Sequence, residues 1–247
     1  MESSYADFQL LREPLYEQVA NRILQDIVSQ RLPVGARLPS ERQMSEQFGV
    51  SRVVIREAMK VLVKGGVITV EPGSGTYVAD RVRDSLLRSL ELICQIQGVE
   101  SEQLWEVRTP LEIVIAKLAA VRATPEDIQL LEEYTDAMES NLDNLEGHRA
   151  ANERFHLALA ASTKNELFPN LIQPLVVLTK ETRILMDRLP DVARIAVESH
   201  RKLIAAIKRR DPTAAEQIMR EHMDNGAYFL SLVKAGESSP SAADGLE

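Results

Sequence analysis

The chain has 247 residues, a formal net charge of −8 at pH 7 and a hydrophobic content of 45%. This length accommodates one large domain or two ordinary ones, and the hydrophobic content is sufficient for a buried core. No apolar run approaches the roughly 18 to 20 residues that cross a bilayer, and the first residues, MESSYADFQLLREPLY, lack the pattern of a signal peptide. We therefore expect a soluble, cytoplasmic protein with no membrane partner.

Cys94 is the only cysteine, so the chain cannot form an internal disulfide or a thiolate metal cluster. Its neighbours Leu92, Ile93 and Ile96 are apolar, and this setting predicts a buried thiol. Redox chemistry is not expected.

The positive charges of this acidic chain are concentrated in one segment. Between positions 31 and 64, seven cations stand against three anions. The cations are Arg31, Arg37, Arg42, Arg52, Arg56, Lys60 and Lys64. Because salt screens charges over about 8 to 10 Å, the local field matters more than the net charge of the whole chain. This segment is therefore able to bind a polyanion.

Taken in chain order, the first elements are two helices. Apolar residues recur every four positions from Leu15 to Ile27 and predict an amphipathic helix over about 14–30, which the prolines and glycine of RLPVGARLP end. Ser40 with Gln43 three residues later has the spacing of a capping box, which predicts a second helix to about Phe48.

A third helix and a hairpin follow. Ser51 is a suitable N-cap, and four apolar residues form a stripe on the side that faces the core. These residues are Ile55, Ala58, Met59 and Leu62, which leaves Arg52, Val53, Arg56 and Lys60 facing outward. The short runs VITV and TYV, joined by EPGSG, predict a β-hairpin. The order of these elements is that of a winged helix-turn-helix.

The rest of the chain is predicted to be all α-helical, because strand signals disappear after about residue 83. We expect seven helices, near 84–97, 101–122, 125–144, 148–162, 165–188, 191–210 and 212–234, with Pro169 and Pro174 bending the fifth. Thr124 before Pro125 and Asp211 before Pro212 are strong helix starts. The predicted fold is mainly α, with a DNA-binding domain over 1–80, a helical bundle over 81–234 and a disordered tail over 235–247.

The third helix has the charges that DNA recognition requires. In a helix-turn-helix, the second helix of the motif enters the major groove. Arg52 and Arg56 are placed to pair with guanine edges, whereas Lys60, deeper in the helix, is placed for phosphate. Arg42 is placed for the backbone or an adjacent base, and the glycines of PGSG, Gly73 and Gly75, allow close approach to a groove wall. The alternative is an ordinary solvated helix face and an ordinary turn.

The segment LPSERQMSEQFGVSRVVIREAMKVLVKGGVITVEPGSGTYV resembles the DNA-binding domain of the GntR family of bacterial transcription regulators. The resemblance covers about 70 residues and includes the signatures LPSER, GVSR..IREA and G.GT.V. It implies DNA contacts by Arg42, Arg52, Arg56 and Gly73. It also implies a homodimer that binds a pseudo-palindromic operator in double-stranded DNA.

The chain has four histidines, and three of them have a suggestive spacing. Asn152 and His156 lie four residues apart on one helix face, while His200 and His222 are each eleven residues from Asp211. If the last two helices form an antiparallel hairpin about this turn, both histidines lie at the same height. Three imidazoles and an oxygen converging in a bundle would bind a divalent metal and leave positions open, although scattered core or surface histidines are the alternative. His148 begins its helix and is expected to face solvent.

Three further segments, VRTPLEIVIAKLAAVRATPEDI, ANERFHLALAASTKNELF and ESHRKLIAAIKRRDPTAAEQIMREHM, resemble the ligand-sensing FCD domain of the FadR subgroup. Many members hold a metal with Asp-x3-His on one helix and single histidines on two later helices. The resemblance therefore implies Asn152, His156, His200 and His222 as ligands of a divalent ion such as zinc or nickel. Here Asn152 replaces the aspartate, and Glu153, one step round the helix, is a poor substitute.

Family effectors are commonly small carboxylates or sugar acids, and such an acid can occupy open metal positions and pair with an arginine. Arg108 is in the family's arginine position and is the candidate for this pairing, with a surface or interdomain salt bridge as the alternative. Arg183 is a weaker candidate for the same cavity. An enzyme is not expected, because the chain lacks a nucleophile elbow, a phosphate loop, HExxH or a convincing general base. The sequence predicts a ligand-responsive, dimeric DNA-binding regulator.

Overall fold

The computed structural model of the protein describes residues 13–79 and 81–236. Within these ranges it has eleven helices and one two-stranded sheet. In chain order they are α1 (Leu15–Val28), α2 (Glu41–Phe48), α3 (Arg52–Lys64), β1 (Ile68–Glu71), β2 (Gly75–Val78), α4 (Val82–Gln97), α5 (Ser101–Arg122), α6 (Pro125–Ser140), α7 (Leu145–Ser162), α8 (Leu167–Leu178), α9 (Lys180–Met186), α10 (Val192–Lys208) and α11 (Pro212–Ala235).

The predicted fold class is confirmed: a winged helix-turn-helix followed by an all-α unit. The chain divides into two compact units between Ser89 and Leu90. The predicted tail lies, from residue 237 onward, outside the described residues. None of the described helices combines the length and the apolar character that a membrane span requires.

Local capping interactions define the helix-turn-helix. The Ser40 hydroxyl accepts a hydrogen bond from the Gln43 backbone N–H at 3.3 Å, and the Gln43 side chain accepts one from the Ser40 backbone N–H at 2.9 Å. Gly49 ends α2 in the left-handed conformation with φ of 65°, which suits a residue without a Cβ. The Ser51 hydroxyl then caps α3 by accepting from Val54 N–H at 3.4 Å.

The apolar stripe of α3 packs into the core of the first unit, as predicted. Its four residues Ile55, Ala58, Met59 and Leu62 are buried together with residues of α1, α2 and both strands. The strands pair antiparallel, with Ile68 opposite Val78 and Glu71 opposite Gly75. The hairpin is therefore a wing attached to the same core that orients α3.

Helix α4 differs from the sequence prediction at Cys94. None of its residues is buried, and the cysteine is only partly covered. The prediction of a buried thiol was wrong because its apolar neighbours lie on the surface: Leu92, Ile93 and Ile96 are 55%, 46% and 75% exposed.

The second unit packs α5 against α7, α8, α10 and α11, with α6 lying against α7 and α10. The helix expected over 165–188 is divided at Thr179 into α8 and α9, five residues after the proline at 174. The Thr179 hydroxyl donates to the Leu175 carbonyl at 2.8 Å, and such back-bonding of Thr bends helices. The interruption leaves α9 as a short separate helix.

Gly226 of α11 allows the close packing of Trp105 from α5. A Cβ at position 226 would lie 2.2 Å from Cζ2 of the indole, whose Nε1 donates to the Met223 carbonyl at 3.0 Å. We expect Gly226→Ala to lower the midpoint of thermal unfolding, because the indole must move. On an unobstructed helix the same change would stabilise the protein by about 1 kcal/mol. A rise in the midpoint would therefore contradict the packing described here.

Candidate functional site

The predicted DNA-binding cations are all exposed. Arg52, Arg56 and Lys60 lie on the outer side of α3, and Arg42 lies on α2. Val53, which the sequence analysis also places on the outward side of this helix, is 66% exposed. The helix thus presents a row of cations opposite its buried stripe.

Three of these cations have surface ion-pair partners. Arg56 lies 3.1 Å from Glu41, Lys60 lies 2.8 Å from Glu57, and Arg42 lies 3.1 Å from Glu46. Exposed pairs of this kind contribute about 0 to 1 kcal/mol. Exchanging them for phosphates therefore costs little, and Arg52 has no ion pair to exchange within the described part of the chain.

The wing tip is open. Gly73 has φ of 74°, and a Cβ there would meet no atom within 4 Å. Gly75 has φ of 138°, and a Cβ there would lie 2.9 Å from Nε of Arg37. The first glycine leaves backbone accessible, and the second allows the Arg37 side chain to lie against the wing.

The second unit brings three of the four histidines together. Helix α7 supplies His156, α10 supplies His200 and α11 supplies His222, with one ring nitrogen of each lying within 4.8 Å of the others. The ring centroids of His200 and His222 are 4.9 Å apart, so the two histidines do meet across the α10–α11 turn. His156 lies 5.3 Å and 5.6 Å from these two rings.

His156 and His200 are buried and His222 is half-buried, and removal from water keeps these imidazoles neutral. Burial, followed by His222 and His156, lowers the pKa of His200 well below its usual value. Burial, followed by His156, lowers the pKa of His222 to about 3. Burial also lowers the pKa of His156, although Glu112 opposes the effect. Neutral imidazole is the form that coordinates metals.

Several buried polar atoms at the cluster have no hydrogen-bond partner among the described residues. They include both ring nitrogens of His200 and Oδ1 of Asn152, which lies one helical turn before His156. Leaving such atoms unsatisfied costs about 1 to 3 kcal/mol each. The His200 ring is held by stacking on Phe155, with centroids 3.7 Å apart. Imidazole nitrogens and one amide oxygen form a donor set that fits zinc or nickel.

Sequence reasoning missed Glu112, which is fully buried on α5. Its Oε1 lies 3.0 Å from Nδ1 of His156 and accepts from Nε and Nη2 of Arg108 at 3.0 and 2.8 Å. Burial opposes ionisation, but His156 and Arg108 outweigh it and lower the pKa of the carboxyl to about 2. A carboxylate behind a metal-binding histidine fixes its ring orientation. The spacing of four between Arg108 and Glu112 was a readable signal.

Arg108 is neither on the surface nor between domains. It is 1% exposed, and its Nη1 donates to the Thr179 hydroxyl at 3.3 Å while Glu112 takes Nε and Nη2. The guanidinium also lies over the Trp105 ring, with Cζ 5.5 Å from the centroid. Arg108 thus forms a buried salt bridge within its own helix, and not the surface or interdomain salt bridge of the alternative.

A small cavity lies beside the histidine cluster. It is bordered by Trp105, Arg108, His148, Asn152, His156, Arg183, Asp187 and His222, among others, and measures about 60 Å³. On this scale one water needs roughly 10 to 15 Å³, so the space suits a few small groups. The expectation that His148 faces solvent was wrong: it is 2% exposed, and its Nδ1 lies 3.0 Å from the Met138 carbonyl. Met138 belongs to α6, so the His148 ring lies against that helix.

The buried Arg108–Glu112 pair gives a stability prediction. We expect Arg108→Met to lower the free energy of unfolding by about 3 to 5 kcal/mol, because Glu112 is left charged and buried. The double variant Arg108→Met with Glu112→Leu should recover much of this loss. Denaturant unfolding of the three proteins measures both changes, and equal stability of the single and double variants would contradict this account.

An exposed basic helix on a winged helix-turn-helix, together with a helical unit that contains a buried polar cavity, defines a ligand-responsive transcription regulator. Residues 15–78 match the family described as "Bacterial regulatory proteins, gntR family", and residues 103–225 match the FCD domain. FCD domains often bind metals, which agrees with the histidine cluster.

Known regulators are similar over most of the chain. The Uxu operon regulator of Haemophilus influenzae is 30% identical, covering 85% of this chain and 79% of its own. The putative L-lactate dehydrogenase operon regulatory protein of Escherichia coli K12 is 32% identical, with coverages of 87% and 85%. A solved structure of Streptococcus agalactiae GntR has 31% identity and a TM-score of 0.70, covering 86% of this chain and 99% of that one.

The chain belongs to the GntR family of bacterial regulators and carries an FCD domain. As predicted, it is a transcription regulator and not an enzyme, since its relatives are regulators.

Proposed function

We propose that this protein regulates transcription as a homodimer of the FadR subgroup that binds a pseudo-palindromic operator. A metal-assisted small carboxylate or sugar acid in the FCD domain would modulate its affinity for DNA. The observation that carries the proposal is the cluster of three histidines at the edge of one cavity, which two of them, His156 and His222, border together with Asn152 and two buried arginines. The proposed domain limits are 1–80 for DNA binding and 81–234 for effector binding and dimerisation.

The DNA-binding residues proposed are Arg42, Arg52, Arg56, Lys60 and Gly73. Their exposure on α2, α3 and the wing supports this assignment. Arg52 and Arg56 would read base edges near the start of α3, whereas Lys60 would meet phosphate. A dimer would place two such helices on the two halves of one operator.

The different roles proposed for these cations predict different effects on DNA binding when each is replaced by alanine. We expect Arg52→Ala and Arg56→Ala each to cost about 1 to 3 kcal/mol of specific binding and to relax the preferred sequence. Lys60→Ala should weaken binding to all sequences and reduce the slope of log affinity against log salt by about 1. Operators selected from random DNA, followed by salt titrations, measure both effects.

Arg220→Ala is the control, because this arginine is exposed on α11 and pairs with Glu216 outside the DNA-binding unit. It removes the same charge and should leave the operator preference unchanged. If Arg52→Ala and Arg56→Ala behave like this control, the proposed interface is wrong.

The metal ligands proposed are Asn152, His156, His200 and His222. The unpartnered nitrogens of His200 and the unpartnered oxygen of Asn152 support a cation at this position. When bound, a divalent ion such as zinc would act as a Lewis acid that accepts a carboxylate oxygen. Glu112 would hold His156 through Nδ1, which leaves its other nitrogen to face the metal.

Asn152 gives this site a neutral donor set. We expect Asn152→Asp to raise zinc affinity about tenfold or more, because it adds a negative charge to the ligands. His200→Ala should remove high-affinity binding. Calorimetry against a competing chelator measures both, with elemental analysis of the purified protein as a check.

Asn225→Asp is the matched control, because Asn225 borders the same cavity outside the proposed ligand set. It adds the same charge without coordination and should raise zinc affinity less than Asn152→Asp does. Equal effects of the two changes would mean that charge alone is responsible and that Asn152 is not a ligand.

The effector proposed is a small organic acid. The cavity volume of about 60 Å³ and the presence of Arg108 and Arg183 favour a compact anion over a large neutral molecule. The family resemblance implies Arg108 for contact with the acid, and both arginines border the cavity. Effector binding changes DNA affinity only as far as it distinguishes the two conformations of the regulator, so both affinities require measurement.

A further inference from the structure

Arg183 is a buried cation that forms no ion pair within the described part of the chain. It lies on α9, is 8% exposed and borders the cavity beside the histidine cluster. Its Nη1 is buried and has no hydrogen-bond partner, and no described carboxylate forms an ion pair with it. Burial lowers the pKa of Arg183 to about 10, which leaves the guanidinium charged at neutral pH.

The two arginines that border the cavity differ in whether their N–H donors already have hydrogen-bond partners. Arg108 uses Nε and Nη2 on Glu112 and Nη1 on Thr179. Three of the five N–H donors of Arg108 are thereby committed, and Glu112 already balances its charge. Arg183 has no such balancing ion pair within the described part of the chain, and its Nη1 is not committed.

The carboxylates that most favour the charged form of Arg183 do not form ion pairs with it. Asp187 and Glu153 both favour its charged form, and Arg108 opposes it. Asp187 borders the same cavity but accepts from Nη1 of Arg149 at 3.0 Å. Arg183 therefore carries a charge that no described side chain neutralises by contact.

An uncompensated buried charge is costly, and proteins usually pair it or use it. The charge of Arg183 also acts on the three imidazoles, where it lowers the pKa of each. A small anion in the cavity would lie against this guanidinium and the cluster together. Planar guanidinium matches a carboxylate with two parallel hydrogen bonds.

We infer that Arg183 is the residue that binds the carboxylate of the effector, and that Arg108 is a positioning residue that holds Glu112 against His156. The inference rests on the proposed role of this cavity as the effector site. It assigns anion recognition to α9, the short helix created by the break at Thr179.

The first test is the stability of the ligand-free protein. Arg183→Met should raise the midpoint of thermal unfolding, because it replaces an unpaired buried charge with an apolar side chain of similar length. Arg188→Met removes the same charge from an exposed position just beyond α9 and should leave the midpoint nearly unchanged. A lower midpoint or loss of folding for Arg183→Met would show that Arg183 is structural and would overturn the inference.

The second test uses Trp105, the only tryptophan of the chain, which borders the cavity. Its fluorescence is titrated with acetate, L-lactate and acetamide, at constant ionic strength, in zinc-loaded and in metal-free full-length protein. We expect saturable responses to the two acids and none to acetamide. Arg183→Met should weaken binding of the acids about tenfold or more, Arg183→Lys should weaken it less, and Arg188→Met should change it less than about twofold.

The outcomes separate this inference from the proposed function. If wild-type protein binds the acids and Arg183→Met binds them equally well, the inference fails while the effector site stands. If no acid gives a saturable response with wild-type protein in either metal state, both fail. If the acids bind in the metal-free protein and zinc does not bind at all, the metal proposal fails and the role of Arg183 is still decided by the variant.

Discussion

The central constraint in this protein is the burial of charged and polar side chains inside an α-helical core. Arg108, Glu112 and His156 form a connected chain of contacts in which Arg108 satisfies its donors on Glu112 and Thr179. A second set of groups around the same cavity is unsatisfied, and it includes Oε2 of Glu112 and Nη1 of Arg183. The satisfied groups hold the geometry, and the unsatisfied groups are available to a ligand. Such a division is typical of a binding site that lowers stability in order to bind.

The two units differ in whether their functional cations are exposed to water or buried. On α3, the cations remain in water and pair with neighbouring carboxylates, so their exchange for phosphate costs little. In the FCD domain, the cations are removed from water, where each unpaired charge is expensive. Exposed pairs suit an interface that must associate and dissociate on a polyanion. Buried unpaired groups suit a site that discriminates between small ligands. A ligand that cannot pair with these groups leaves them unsatisfied in the complex and therefore binds more weakly.

Local signals in the sequence were sufficient for most of the fold. The capping residues Thr124 and Asp211, each followed by proline, mark helix starts that the structure reproduces, and the equal spacing of His200 and His222 about Asp211 predicts their contact. Long-range packing was not readable in the same way. Glu112 stands within an apolar run, and whether such a carboxylate is buried depends on partners distant in sequence. His148 lies near a helix start, where the sequence suggests exposure to solvent, but its ring is buried beside the Met138 carbonyl of α6.

The charge balance of the cavity explains why an acid is the expected ligand. Among the groups that contact one another there, Arg108 is neutralised by Glu112, Asp187 is neutralised by Arg149, and Arg183 keeps its charge. The three imidazoles are neutral, and Asn152 supplies an oxygen without the charge that an aspartate would bring. A divalent ion bound there would make the cavity still more positive. A neutral sugar or amide would leave this positive charge uncompensated, whereas a carboxylate would offset it directly. If metal and acid both bind as proposed, the neutral side chain of Asn152 would make the binding of each depend on the other.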